Sequence, residues 1–318
     1  MSSSAMNISV GVEYQPPQEL LAFAMLSVGL SFSFLYINSV LLFTLRRKPV
    51  FCDTSRYVLL YHLLFGDTVN LAVSILLYLL ASARLRIPFY ACTVIVVVSL
   101  FTNISPLTLA VMSLERFVAV CFPLRHLTVF TSRVTGMVIA VVWIFSFIHI
   151  LVRVSMLFFI LIQTSLNVQL NSFCSKEEVF FAPVFKRFEQ VFSGFLFVLV
   201  GAVILASYVG VSVIARSAST DKASAKKALQ TLLLHLIQLS LIITSTLFST
   251  IILAVGQTVG RLVLVRIYNI CFVCLNVLPR CLSALIYGLR DRTIRVVLLQ
   301  NLCFLCKRSR FPNKNRRF

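Results

Sequence analysis

Seven apolar runs, each long enough to cross a lipid bilayer, constrain this chain more than any other feature. A helix crossing a hydrocarbon core of about 30 Å needs roughly 20 apolar residues. Seven segments reach that length: about Leu20–Leu45, Tyr57–Ala81, Phe89–Val120, Val134–Ile160, Val191–Ala215, Ala228–Val255 and Leu262–Leu289. Composition agrees, with 59% of the 318 residues hydrophobic and 12% charged, against about 25% charged in an average soluble domain. The links between runs are short, and the sequence holds no repeat or second domain. The predicted fold class is therefore an all-α membrane protein, a seven-transmembrane helix bundle over residues 20–289. A short N-terminus at 1–19 precedes it and a basic tail at 290–318 follows.

The net charge is +19. A nucleic-acid binder would spread such charge over a soluble fold, whereas here it sits in the gaps between apolar runs, so the predicted contacts are membrane lipids and no nucleic acid. Of the 29 Lys and Arg, 20 fall in the first, third and fifth links between runs and in the tail. Eight fall on the other side: Arg84, Arg86, Arg153, Lys176, Lys186, Arg187, Arg261 and Arg266, and Arg280 lies inside a span. Basic residues collect on the cytoplasmic side, which places the N-terminus outside the cell and the tail inside, in a multi-pass plasma-membrane protein. Asn7-Ile8-Ser9 is then an acceptor sequon on the glycosylated side, while Asn103-Ile104-Ser105 lies in mid-membrane and is predicted to stay unused. The first 45 residues hold no Lys or Arg, so the basic region of a cleavable signal peptide is missing from them. After the last run, "GLRDRTIRVVLLQNLCFLC" mixes Arg292 and Arg295 with Val, Leu and Phe, the pattern of an amphipathic helix lying on the inner leaflet. Cys303 and Cys306 at its end are candidate palmitoylation sites or two ordinary juxtamembrane cysteines.

The third run ends in "MSLERFVAVCFPLRH", residues Met112 to His126. A guanidinium cannot lie in lipid uncompensated, and Glu115 offers Arg116 a partner. By itself this pair reads either as an interfacial marker of where the helix leaves the bilayer or as a working group. The whole stretch resembles the end of the third helix in rhodopsin-like (class A) G-protein-coupled receptors, where Asp/Glu-Arg-Tyr is usual, with Phe117 standing here for the Tyr. "AVCFPLRH" resembles the odorant-receptor form of the following loop, with fish odorant receptors nearest. "INSVLL" around Asn38, "HLLFGDTVNL" around Asp67, "ASYVGVSVI" with Tyr208, "KALQTLLLHL" with His235 and "LSALIYGLRD" with Tyr287 resemble further signatures of that family, in order along the chain. Three features depart from the family pattern: Ser283-Ala284 replace Asn-Pro before Tyr287, the sixth span holds no Pro or Trp, and Cys92 stands 24 residues before Arg116. Pro106 lies between the last two and is a site for a compensating kink.

Cys92, at the outer end of span three, and Cys174, in the long outer loop, are the two cysteines predicted to face the oxidising side, so a disulfide between them is the economical reading. The resemblance implies the same bond. Asp67 lies roughly 15 Å into span two, counting 1.5 Å per residue, and Arg280 lies at a similar depth in span seven. An ionisable residue at such depth is a functional candidate. The resemblance sets these two regions face to face around a polar site that often holds sodium, and an intramembrane Asp67–Arg280 pair is expected there. The alternative is Arg280 snorkelling to a distant interface.

Ser99, Thr102 and Asn103 recur at helical spacing on one face of span three. With Phe192, Thr246, Ser249 and Asn276 they are candidates for a mostly apolar ligand pocket with a few oriented polar groups. Interhelical hydrogen bonding explains each Ser, Thr or Asn taken singly.

No catalytic triad, metal cluster or phosphate-binding glycine loop is present in the sequence, so no enzyme activity, cofactor or metal is predicted. The resemblance implies a small-molecule odorant receptor coupled to a heterotrimeric G protein of the olfactory Gs type, working in olfactory sensory neurons. Glu115, Arg116, Tyr208, His235 and Tyr287 are its implied coupling and activation residues. A non-olfactory class A receptor for another small molecule or a peptide is the alternative. An amine receptor fits less well, because no carboxylate occurs between Val94 and Asn103. A transporter or channel fits least, because repeats, broken helices and rings of pore charge are missing from the sequence.

Overall fold

Long helices follow one another through the chain, most of them joined by short links. The computed structural model describes residues 17–47, 49–83, 85, 87–164, 174–217, 222–256, 258–278, 280 and 294–295. Helix α1 (Pro17–Arg47) starts on a proline and ends on Arg46 and Arg47, which suits a helix whose first N–H would lack an intrahelical partner and whose C-terminus favours cations. The short α2 (Pro49–Asp53) restarts on Pro49 and drives Phe51 into the core against Tyr57. Next come α3 (Ser55–Ser82), α4 (Phe89–Ser99), a 3₁₀ turn at Leu100–Asn103 and α5 (Ile104–Cys121). Helix α6 (Pro123–Val129) then leads to α7 (Ser132–Thr164), α8 (Lys176–Val179), α9 (Pro183–Ser217), α10 (Lys222–Gly256) and α11 (Arg261–Cys271), which runs on as a π-turn at Phe272–Val277.

Among the described residues, Met25–Arg47, Ser55–Ala81, Phe89–Cys121, Ser132–Gln163 and Pro183–Ile214 are long and apolar enough to cross a membrane. Helices α10 and α11 contribute shorter apolar stretches, Leu229–Ser245 and Arg266–Val277. The distribution of side chains is that of a protein solvated by lipid. Met137, Val141, Ile144, Phe158, Val191 and Val198 point outward, while Asn38, Asp67, Ser113, Arg153, His235 and Gln238 are buried. In water that arrangement would expose a large apolar patch; in hydrocarbon it leaves the polar groups to pair inside. Many hydroxyls close onto their own helix, as Thr44 does on the Val40 carbonyl and Ser146 on that of Val142.

Helix α5 is the centre of the bundle, packed against α3, α7, α9 and α10. Pro106 lacks an N–H and its ring excludes the carbonyl four residues back, which is Thr102, inside the 3₁₀ turn. The third span thus changes pitch where the proline requires it. Gly210 on α9 lies so close to α5 that an added Cβ would overlap the Phe117 ring. Two differences from the sequence reading bear on the site. Pro183 starts α9 eight residues before Val191, so Lys186, Arg187 and Glu189 ride on its first turns instead of in a loop. Arg153, counted above with the outer residues, sits inside α7 at 2% exposure, because a partner on the neighbouring helix holds it there.

Candidate functional site

Two polar regions occupy opposite ends of α5. At its C-terminal end Glu115 is buried, at 4% exposure. Arg116 Nε approaches Glu115 Oε2 at 3.1 Å, and His126 Nε2 lies 3.2 Å from Oε1. His126 reaches the carboxylate because Phe122 and Pro123 end α5 and start α6, which folds back beside it. Its ring also stacks on Phe130. The motif contains His126, but nothing in its spacing shows that the next helix returns to Glu115; the break at Pro123 is the signal that could have raised it.

One half-turn earlier, Ser113 Oγ donates to the Leu109 carbonyl at 2.8 Å and meets His235 Nδ1 on α10 at 3.0 Å. The hydroxyl has one hydrogen, directed at Leu109, so the His235 Nδ1–H is the donor across the α5–α10 contact. Tyr208 packs with Phe117, Val120, Cys121 and Leu229 around the buried Val211 and Leu232. Glu115, Arg116, Tyr208 and His235 therefore gather at one end of the bundle. Tyr287 lies outside the described residues, as do Asn7, Cys303 and Cys306.

At mid-depth Asp67, 1% exposed, accepts a 2.7 Å hydrogen bond from Ser105 Oγ. Arg280, also buried, directs Nε to Asn276 Oδ1 at 3.4 Å. Helix α3 and the π-turn that precedes Arg280 are in contact. Pro279 follows that π-turn in the sequence and is the signal that could have flagged it, since a π-turn re-houses carbonyls that a proline leaves without an N–H.

At the other end a cavity of about 270 Å³ opens between the helices. Cys92 at the start of α4 is bonded to Cys174, and Cys174, Ser175 and Lys176 form part of the cavity wall. Ser99 and Asn276 line it as candidates from the sequence, although the Ser99 hydroxyl is already directed at the Val96 carbonyl. Phe192 is not among the lining residues; it stacks at 4.1 Å on His149, which is. A helix rotated to bury His149 in the cavity wall leaves its neighbour one layer behind. The side chains of Thr102, Asn103, Thr246 and Ser249 lie outside the described residues.

The wall also holds residues that sequence reading missed. Arg153 Nη1 contacts Glu189 Oε2 across the α7–α9 gap, and Lys176 Nζ bonds Glu189 Oε1 at 3.0 Å. The Arg153 guanidinium lies 4.5 Å from the centre of the Phe180 ring, a cation–π contact. Tyr78 stacks on Phe272 and donates its hydroxyl to Asn269 Oδ1 at 3.2 Å, tying α3 to α11 at the cavity edge. A charge inside the Val134–Ile160 run, seven residues before its end, was the available signal for Arg153.

Comparison with known proteins matches residues 37–287 to the family described as 7 transmembrane receptor (rhodopsin family). The chain is 31% identical over 265 residues to "Odorant receptor 131-2" of zebrafish (Danio rerio), covering 81% of this chain and 79% of that protein. Shorter matches link it to mammalian receptors. It is 28% identical over 144 residues to "Olfactory receptor 1E1" of chimpanzee (Pan troglodytes), 44% of this chain and 45% of the relative. It is 30% identical over 135 residues to "Olfactory receptor 4K15" of human (Homo sapiens), 42% of each chain. With its helical bundle, its tethered cavity and its Glu-Arg pair at the far end of α5, the chain belongs to the rhodopsin family of seven-transmembrane receptors and is not an enzyme.

Proposed function

We propose that this protein is an odorant receptor of the plasma membrane, N-terminus outside, that binds a small molecule in the α3–α5–α7–α9 cavity and activates a heterotrimeric G protein at the Arg116 end. The observation that carries this reading is that one helix, α5, joins both regions. Pro106 lines the cavity and Glu115 lies nine residues further on, roughly 14 Å along a helix rising 1.5 Å per residue. Helices α9 and α10 pack on α5 along that path. A ligand that draws α9 or α10 toward the cavity shifts their contacts at Ser113 and Phe117, two residues to either side of Glu115.

Glu115 paired with Arg116 and His126 is the latch of the closed state. In the open state Arg116, Tyr208 and Tyr287 reorganise and form a cleft for the G-protein α subunit. Ligand acts by population shift, which requires that it bind the open state more tightly. The family resemblance favours a Gs-type partner and olfactory sensory neurons.

The test is a screen of the expressed receptor against odorant classes with a cAMP reporter, with Arg116→Ala as control. That variant is expected to reach the surface and stay silent. Normal signalling by Arg116→Ala at equal surface level would remove Arg116 from the coupling role. A screen in which G-protein activation never depends on ligand would remove the receptor mechanism.

A further inference from the structure

We infer that the cavity takes a small oxyanion, a carboxylate or phosphonate on a compact apolar body, held by Arg153 and Lys176. This rests on the reading of the cavity as the ligand site. The lining residues include three cationic side chains, Arg153, Lys176 and Arg280, and one carboxylate among the described residues, Glu189. Glu177 and Glu178 follow Lys176 in the sequence, and their side chains lie outside the described residues.

Setting Arg280 aside, two cations, Arg153 and Lys176, face Glu189 among the described residues. Both converge on it, Arg153 through Nη1 and Lys176 through Nζ, one on each carboxylate oxygen. Among the described residues the cations here outnumber the carboxylate, at a site lined by Leu77, Tyr78, Ile242 and Phe272. Low local polarity makes an uncompensated charge costly.

Arg153 carries the second observation. It is 2% exposed, it faces the cavity, and its buried Nε has no hydrogen-bond partner among the described residues. A guanidinium has five N–H donors in a planar fork that matches an oxyanion. The contacts seen, an ion contact through Nη1 and a ring beneath Cζ, leave part of that fork unused. An incoming oxyanion completes it and shares Lys176 with Glu189. The Cys92–Cys174 bond, two residues before Lys176, holds the ammonium at the cavity rim. The volume of about 270 Å³ lies just under the roughly 300–1,000 Å³ of drug-sized sites, so the body attached to the anion is compact.

The experiment compares hexanoate and hexylphosphonate with hexanol and hexylamine on the full-length receptor. Binding is read as a shift in the thermal unfolding midpoint of purified receptor, and signalling as G-protein activation in cells. One or both anions are expected to bind at least about tenfold more tightly than the alcohol and amine, a difference of about 1.4 kcal/mol; their order assigns the head group.

Lys176, whose side chain is 37% exposed, tolerates replacement, and Lys176→Glu is expected to weaken anion binding by about tenfold or more. Glu189→Gln removes the competing carboxylate and is expected to tighten it. An amine or alcohol binding as well as the anions overturns the inference, as does a panel in which neither anion shifts unfolding. Loss of all ligand binding in Glu189→Gln at normal surface level also overturns it, because that result makes Glu189 the anchor of a cationic ligand. Anion binding without signalling would instead leave this inference standing and defeat the receptor mechanism. Signalling driven by the neutral or cationic ligands would do the reverse.

Discussion

Glu115→Gln keeps the size of the side chain at the latch and removes its charge. The carboxylate side chain is 5% exposed, while Arg116 and His126 are 20% and 25% exposed. Opposite charges about 4 Å apart interact by about 4 kcal/mol at an effective dielectric of about 20, and fully exposed pairs contribute about 0.2–1 kcal/mol. One buried and one mostly buried partner place the latch between these limits, at about 1–2 kcal/mol of preference for the closed state. That range is a factor of roughly 5–30 in an equilibrium. A receptor resting with about 1% in the open state, inside the usual span for a minor conformer, would rise to roughly 5–25%. The assay is ligand-free G-protein activation divided by surface receptor number. Glu115→Gln is expected to raise it by roughly 5–25-fold. His126→Phe, which keeps a ring to stack on Phe130, should raise it less. Because both changes act on one carboxylate, the double variant should not exceed Glu115→Gln by the product of the two effects. Unchanged or reduced basal signalling in Glu115→Gln, at equal surface level, would refute the latch.

Three further outcomes are open to measurement. The Cys92–Cys174 bond spans 82 residues, for which loop closure in a free chain gives about 4.5 kcal/mol; either Cys→Ser change should lower surface expression equally and the double change little further, and strictly additive losses would count against the bond. Asp67 and Arg280 each cost about 2.5–3.5 kcal/mol if left alone near the membrane midplane; Asp67→Asn and Arg280→Gln should each impair expression or agonist response, the double variant should recover part of the loss, and the response should depend little on sodium, whereas additive losses would dismiss the pair. Gly210→Ala should force Phe117 off its seat and cost about 1–3 kcal/mol as an overpacked contact; thermal unfolding of the purified receptor would show it, and Gly210→Ala with Phe117→Ala should restore most of the midpoint.

Properties that run along the chain were legible in the sequence. Apolar length alone marked the five membrane-length helices among the described residues, because lipid forces every backbone N–H and C=O to pair inside its own segment. Pro106 marked the change of pitch in the third span, since a proline acts on the carbonyl four residues back. Glu115 and Arg116 are adjacent, so their pairing needed no fold. Cys92 and Cys174 could be matched once the sides of the membrane were assigned.

What tertiary structure decided are the partners that lie across helices. Arg153 was one more outer cation until α9 began at Pro183 and brought Glu189 opposite it. His126 had no role until α6 folded back to Glu115, and His235 had no partner until α10 faced Ser113. Phe192 was a candidate for the pocket wall, yet it lies one layer behind His149. Each of these depends on the rotation of a helix about its axis. A helix that is apolar nearly all round has too little contrast between its faces to set that rotation. Close packing sets it instead, through contacts such as Gly210 against Phe117, and those exist only after the bundle has assembled.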